Sequence, residues 1–426
     1  QRKEVLIEMT DEVAALVLRD SYTQSQALSL AVAQAPQMLD IQARMIRHLE
    51  QTAGLERGLE ALPDEDEIAA RRLRESGLTS PELAVLMARA KISMNAALVE
   101  SDLPEDPHLE DELDRYFPAP LPERFATALR GHRLRREIIT THVTNDFVDT
   151  AGVTACYRLT EETASATADV ARAYIVAREA FALRDFWAQV EALDNLADAH
   201  SQLELLLEGR KLLERATRWL LRNCSSPLEI AAAIERFAPG VSALEAMLPG
   251  VLEDSDREAH DEMLARFEQG SIPPELAARA AAMAGQLAAL DIVEATSQCG
   301  RSTESVAVVY FRLGARLGLH WLRDRMTELP RSSRWQGLAR AALRDDLGTL
   351  QRTLTIEVVS ASPSALPAEQ AVEQWERANA DSVAHCLRVL SDIRATRTYD
   401  VTTLSVALRE ARNLLHAGAA EPGSGL

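Results

Sequence analysis

No stretch of this chain sustains an alternation of apolar and polar residues with period two, whereas apolar residues recur at helical spacing from one end to the other. That periodicity constrains the fold more than any motif, because it leaves helices packed on helices as the architecture. Val170, Tyr174, Ala177 and Phe181 share one helical face. Leu206, Leu213 and Leu220 mark a second, and Leu404, Leu408, Ala411 and Leu415 a third. Thr355 to Val359 comes nearest to a strand, but its helical surroundings assign it to a helix. Breaks are few: 18 glycines and 17 prolines punctuate 426 residues, and aromatics make up only 4%. The expected class is all-α, multi-helix with short loops, and without a Rossmann fold.

Helix starts are also legible. Thr79-Ser80-Pro81-Glu82 reads as a capping box with proline in the first turn, where no amide is missed. Thr10-Asp11-Glu12 reads as an N-cap followed by two carboxylates, and Ser226-Pro227-Leu228-Glu229 repeats the proline device. Expected breaks include Gly54 to Asp66, Ser101 to Pro107, Ala238 to Gly240, Pro249 to Asp256 and Ser360 to Pro367. The domain expectation is an N-terminal helical subdomain over 1–237 and a C-terminal one over 257–417, or one continuous helical domain. The Gly/Ser-rich tail, 418–426, is expected to be disordered.

Charge narrows the function classes. Lys and Arg number 46 against 65 Asp and Glu, a formal net charge of -19. Such a field repels phosphate backbones and anionic bilayers, so neither nucleic acid nor membrane is an expected partner. The long uncharged stretch from Ser21 to Leu39 holds Gln24, Gln26, Gln34, Pro36 and Gln37, too polar to span a bilayer. Gln1-Arg2-Lys3 is neither an initiator Met nor the start of a leader, which favours a processed or excised piece. Cys156, Cys224, Cys299 and Cys386 form no CxxC, and free thiols in a reducing cytoplasm are expected.

Chemistry-bearing patterns are sparse. A dinucleotide site needs closely spaced glycines so that backbone amides reach the phosphates. No GxGxxG, GKS or GKT is present, and the only glycines two apart are Gly423 and Gly425. His142 and Asp146, four apart, would face one metal if a third ligand joined them, but spacing supplies none. No catalytic, cofactor or metal residue is assigned, although a folded triad stays open. The most polar stretch is Thr140 to Thr154, downstream of Arg130, Arg133, Arg135 and Arg136. Arg133, Arg135, Arg136, Asn145 and Asp146 are the candidates for an interface or effector surface. The competing reading is a helix that packs on Ile138, Ile139, Val143 and Phe147 and solvates the rest. Gly314 and Gly318 suggest a close helix crossing.

Several stretches, in order, resemble the C-terminal region of the large bacterial NAD-specific glutamate dehydrogenases. They include Met9 to Asp20 (MTDEVAALVLRD), Leu78 to Leu86 (LTSPELAVL), Tyr116-Phe117-Pro118, His132 to Ile139 (HRLRREII) and Thr144-Asn145-Asp146. Arg215 to Asn223 (RATRWLLRN), Tyr310-Phe311-Arg312-Leu313-Gly314 and Leu404 to Glu410 (LSVALRE) complete the set. The resemblance implies a catalytic domain before Gln1 in a parent that oxidatively deaminates L-glutamate to 2-oxoglutarate and ammonium with NAD. It also implies that the active-site lysines, acid and dinucleotide loop belong to that domain, so this chain alone is expected to be inactive. The implied role is a structural and regulatory element that buttresses the catalytic domain, in a cytoplasmic homo-oligomer. The alternative is a free-standing helical scaffold that binds another protein.

Overall fold

The computed structural model describes residues 2–417, so the expectation for 418–426 lies outside the described residues. Every regular element among them is a helix, and two compact units result. The first comprises Gln1–Glu179 and Leu213–Ile234, the second Ala180–Leu212 and Glu235–Leu426. In this grouping residues 180–212 and 235–237, placed in the N-terminal subdomain by the sequence boundaries, go with the C-terminal part.

The chain opens with α1 (Arg2–Glu8), α2 (Thr10–Thr52), α3 (Glu65–Leu73), α4 (Ser80–Val99), α5 (Glu110–Tyr116) and α6 (Pro120–Arg130). It continues with α7 (Arg135–Ala151), α8 (Ala155–Thr163) and α9 (Thr167–Ala180). Helix α7 packs on α2, α4 and α5, and α2 packs on α4, with Ile46, Leu83, Leu86, Leu98, Leu113 and Phe147 buried on these helices. The entry to α4 is set by Glu82, which accepts from the Thr79 amide at 2.7 Å, so the expected capping box is present. Arg71 grips the same carboxylate through both terminal guanidinium nitrogens, at 2.6 and 2.8 Å. Just ahead, Gly77 lies so close to α2 that a Cβ there would stand 2.2 Å from the Ala35 carbonyl carbon. Thr10, by contrast, caps nothing. Met9 before it is helical, and the Thr10 hydroxyl donates back to the Leu6 carbonyl at 2.8 Å, so α1 runs into α2.

The later helices are α10 (Leu183–Glu191), α11 (Ala199–Asn223), α12 (Ile230–Val251), α13 (Asp254–Gln269), α14 (Pro274–Gln286) and α15 (Ala288–Cys299). Then come α16 (Thr303–Arg316), α17 (Leu319–Glu328), α18 (Arg334–Ala361), α19 (Ala368–Ala378), α20 (Ala380–Thr396), α21 (Val401–Arg412) and α22 (Leu414–Ala417). The chain passes from one unit to the other at the end of α9, again within α11 and once more within α12. In the second unit α18 is the central member, touching α15, α16, α17, α19 and α21. Leu350, Leu354 and Val358 on α18 are buried, and Thr355 to Val359 is helical as expected.

Two local expectations give way to tertiary packing. The break expected at Ala238 to Gly240 is absent, since α12 runs through Pro239. Buried Phe237, Val241 and Leu244 hold the helix across the missing amide. Gly240 itself serves a close approach, because a Cβ there would meet Val293 Cγ2 at 2.2 Å. Gly314 and Gly318 do separate work. Gly314 makes room for the Gln351 amide, whose Nε2 would lie 2.8 Å from a Cβ, whereas Gly318 adopts φ +63 where α16 turns into α17. Among the described residues no single helix is long and apolar enough to cross a membrane. The bent pair α14–α15 reaches that composition together, with Ala277, Ala280, Leu290 and Ile292 buried.

Candidate functional site

The most concentrated chemistry lies in the first unit, where α5, α7 and α9 meet. Arg178 on α9 has no side-chain surface exposed. Its guanidinium donates to Glu112 Oε1 on α5 at 2.7 Å, to Asp146 Oδ2 on α7, and to Glu179 Oε1 at 2.7 Å. The Tyr174 hydroxyl donates to the same Asp146 oxygen at 2.7 Å and lies 2.8 Å from the Thr150 hydroxyl. His142 Nδ1 comes within 2.8 Å of Glu112 Oε2. One turn along α7, Asp149 pairs with Lys91 of α4 at 2.8 Å, and both side chains are largely buried.

These contacts set the ionisation of the cluster. Burial alone would lower the Arg178 pKa, but Asp146, Tyr174, Glu112 and Glu179 hold it well above the usual value. Burial and then the Asp146 carboxylate push the Tyr174 phenol up. Burial likewise raises Asp149 above the ordinary carboxylate range, against the pull of Lys91. The cluster is therefore a charged lock between three helices. Glu112 Oε1 and Asp146 Oδ2 are turned toward Arg178 and Tyr174, and Glu112 Oε2 toward His142, so the geometry ties the three helices together.

The five candidate surface residues separate. Asp146 belongs to the lock, and Asn145 beside it is half-buried. Arg136 donates to the carbonyls of Val99 and Ser101 at 2.7 and 2.8 Å and to Glu105 at 2.6 Å. It thereby satisfies the last carbonyl of α4 and its negative dipole end. Arg135 donates to the Pro104 carbonyl at 3.0 Å and pairs with Glu105 at 3.2 Å. Arg133 is exposed. His142 and Asp146 face different partners, and among the described residues no group of three or more His, Cys, Asp or Glu is placed to hold a metal ion. Burial lifts the Cys156 thiol to about 11, as it does that of Cys386, so neither is a thiolate at neutral pH.

Sequence reasoning missed Arg178, Glu112 and Tyr174. The available signal was an arginine in the otherwise apolar run Ala173-Tyr174-Ile175-Val176-Ala177-Arg178, where burial demands partners. The second unit holds a smaller counterpart. Asp291 of α15 accepts from Arg352 at 2.7 Å and from the Tyr310 hydroxyl at 3.2 Å. Gln351 of α18 donates to the Tyr310 carbonyl at 3.1 Å, over Gly314.

The stretches singled out in the sequence thus fall on structural joints: Glu82 at a helix start, Arg136 at a helix end, Asp146 in the lock, Tyr310 and Gly314 in its counterpart. Arg218 pairs with Glu162 at 2.9 Å. Comparison with known proteins agrees in extent. The NAD-specific glutamate dehydrogenase of Mycobacterium tuberculosis is 38% identical over 414 residues, which is 97% of this chain and 25% of that protein. The NAD-specific glutamate dehydrogenase of Pseudomonas aeruginosa is 37% identical over 414 residues, 97% of this chain and 26% of that protein. That of Halomonas elongata is 34% identical over 410 residues, covering 96% and 25%. The chain therefore spans about a quarter of the length of the curated relatives it matches. The sequence profile described as glutamate dehydrogenase, C-terminal, matches residues 75–413, and the chain belongs to that family.

Proposed function

We propose that the chain is the C-terminal helical module of an NAD-dependent glutamate dehydrogenase, in which it buttresses a preceding catalytic domain. In the parent, that domain converts L-glutamate, NAD and water to 2-oxoglutarate, ammonium and NADH. The observation that carries the reading is the similarity of nearly the whole chain to relatives of that name, of which it spans about a quarter. The internal use of Glu82, Asp146 and Arg136 supports a scaffold role. The parent is a cytoplasmic homo-oligomer on this reading.

The chain's own residues do not fit the dinucleotide. Among the described residues the glycines of positive φ are Gly54, Gly152, Gly300 and Gly318, too far apart in sequence to form one phosphate-cradling loop. NAD is accordingly a cofactor of the parent, held by the catalytic domain. Of the candidate surface, Arg133 is exposed and free to make an interdomain or effector contact, whereas Asn145, Arg135, Arg136 and Asp146 are half-buried, the last three being engaged in hydrogen bonds within this unit.

Two measurements test the reading. Deleting this region from the full-length polypeptide should abolish glutamate-dependent NAD reduction or assembly, and unchanged turnover by the truncated protein overturns it. Calorimetric titration of this chain with NAD should give no saturable heat, and micromolar binding overturns the assignment of NAD to the parent's other domain.

A further inference from the structure

The first unit carries an apolar helix face open to solvent. Leu6, Ile7, Val13, Val17 and Leu18 are 55%, 67%, 43%, 59% and 71% exposed. They belong to one continuous rod, because the Met9 amide donates to the Val5 carbonyl at 3.0 Å and the Val13 amide to the Met9 carbonyl at 2.9 Å. Leu6, Val13 and Val17 stand at i, i+7 and i+11, and Ile7 and Leu18 repeat that spacing one residue on. The residues form a stripe of two adjacent rows on one side of the rod, with exposed Lys3 and Thr10 between the rows and exposed Asp11 and Asp20 along the outer edges. The adjoining face of the rod is occupied. Val5 is buried, Arg124 pairs with Glu8 at 2.8 Å, and the Ala119 amide donates to Glu12 at 2.8 Å. The apolar arc of this rod is therefore wider than the α6 region covers.

We infer that this stripe is the seat of a segment from the preceding part of the same polypeptide, an apolar face edged by arginine or lysine. The inference rests on the reading of the chain as a C-terminal module. Three observations select this occupant. The curated relatives are about four times as long as this chain, so a large tethered surface is at hand. Five side chains are far fewer than the roughly 20–30 residues a side of a freely associating pair. A tethered segment needs no such area, because linkage supplies an effective concentration on the order of millimolar. The acidic edges, in a chain of net charge -19, favour a basic rim over a second copy of the same surface.

Photo-crosslinking in the full-length polypeptide tests this, with p-benzoylphenylalanine in place of Val17, an exposed position where the larger ring leaves the core untouched. The expected product migrates as a monomer on a denaturing gel, and its crosslinked peptide maps N-terminal to this chain. A crosslinked dimer seats the stripe on another copy and overturns the inference. So does a product within this chain, or an illuminated sample with no crosslink at all. Glutamate-dependent NAD reduction is measured on the same preparation. A crosslink without turnover retains the docking and removes the dehydrogenase reading, and turnover without a crosslink does the reverse.

Discussion

The Arg178 guanidinium reaches Glu112 Oε1 at 2.7 Å across 66 residues of sequence, with both side chains almost wholly removed from solvent. Taking two such charges out of water is costly, and mutual pairing offsets the cost only while both remain. Replacing Arg178 with Met should therefore destabilise the first unit by about 3–5 kcal/mol, because Glu112 is left buried and charged. Arg178→Met with Glu112→Leu should cost less than the sum of the two single changes. Hydrogen exchange in peptides from α5, α7 and α9 reads the effect. An Arg178→Met cost below about 1 kcal/mol would place the lock among dispensable contacts.

Gly77 and Gly337 predict opposite signs for one chemical change. A methyl at Gly77 would collide with the α2 backbone at Ala35, which cannot turn aside as a side chain can. Gly77→Ala should cost about 3 kcal/mol and lower the unfolding temperature. Gly337, inside α18, would meet nothing within 4 Å. Gly337→Ala should raise stability by about 0.5–1 kcal/mol through the lower backbone entropy of alanine. Thermal unfolding of both variants checks the pair, and equal shifts would remove the Gly77–Ala35 contact as a constraint.

Acid stability follows from Glu82. Burial would raise its pKa, but the Arg71 fork and the Thr79 amide hold it below the usual value. The folded pKa then lies under the unfolded one, about 4.3. The stabilisation is complete above that value and lost as pH falls through the folded pKa. The deficit of Glu82→Gln should consequently shrink as pH drops below about 4. Asp149 runs the other way, since burial raises its folded pKa despite Lys91. Its favourable contribution is present below the unfolded value and lost as pH rises through the folded one. The Asp149→Asn deficit should be largest in acid and shrink as pH rises. Urea midpoints between about pH 3 and 7 decide both, and pH-independent differences would contradict the assignments.

The all-α class was legible because helical period is a local property, repeated through chains such as Val170, Tyr174 and Ala177. Glu82 as an N-terminal anchor was legible for the same reason, as its partner Thr79 lies three residues away. Pro239-Gly240 misled because the local signal for a break was outweighed by Phe237, Val241 and Leu244, whose burial appears only in the folded unit. The charged lock was hidden for a related reason. Asp146 stood out as polar, but its partner Arg178 lies 32 residues on, and nothing in spacing says which charges will meet. Arg136 looked like surface for want of the α4 end it serves, and Arg135 for want of the Pro104 carbonyl it binds.

That last pairing yields the sharpest separation within the arginine cluster. Arg136 donates two hydrogen bonds to the carbonyls of Val99 and Ser101, which the end of α4 leaves without helical partners. Charged hydrogen bonds of this kind contribute about 1.5–3 kcal/mol when buried. Partial exposure of Arg136 discounts that toward about 1–2 kcal/mol. Arg136→Ala should therefore fray α4, lowering exchange protection from Leu98 through Ser101. Arg133 is exposed, and Arg133→Ala should change stability by no more than about 0.5 kcal/mol. Any loss of assembly, or of the proposed turnover, that Arg133→Ala causes in the full-length polypeptide then reports a contact outside this unit, free of a folding effect. If Arg136→Ala leaves the α4 end fully protected, the arginine is not its cap, and the whole cluster returns to the surface.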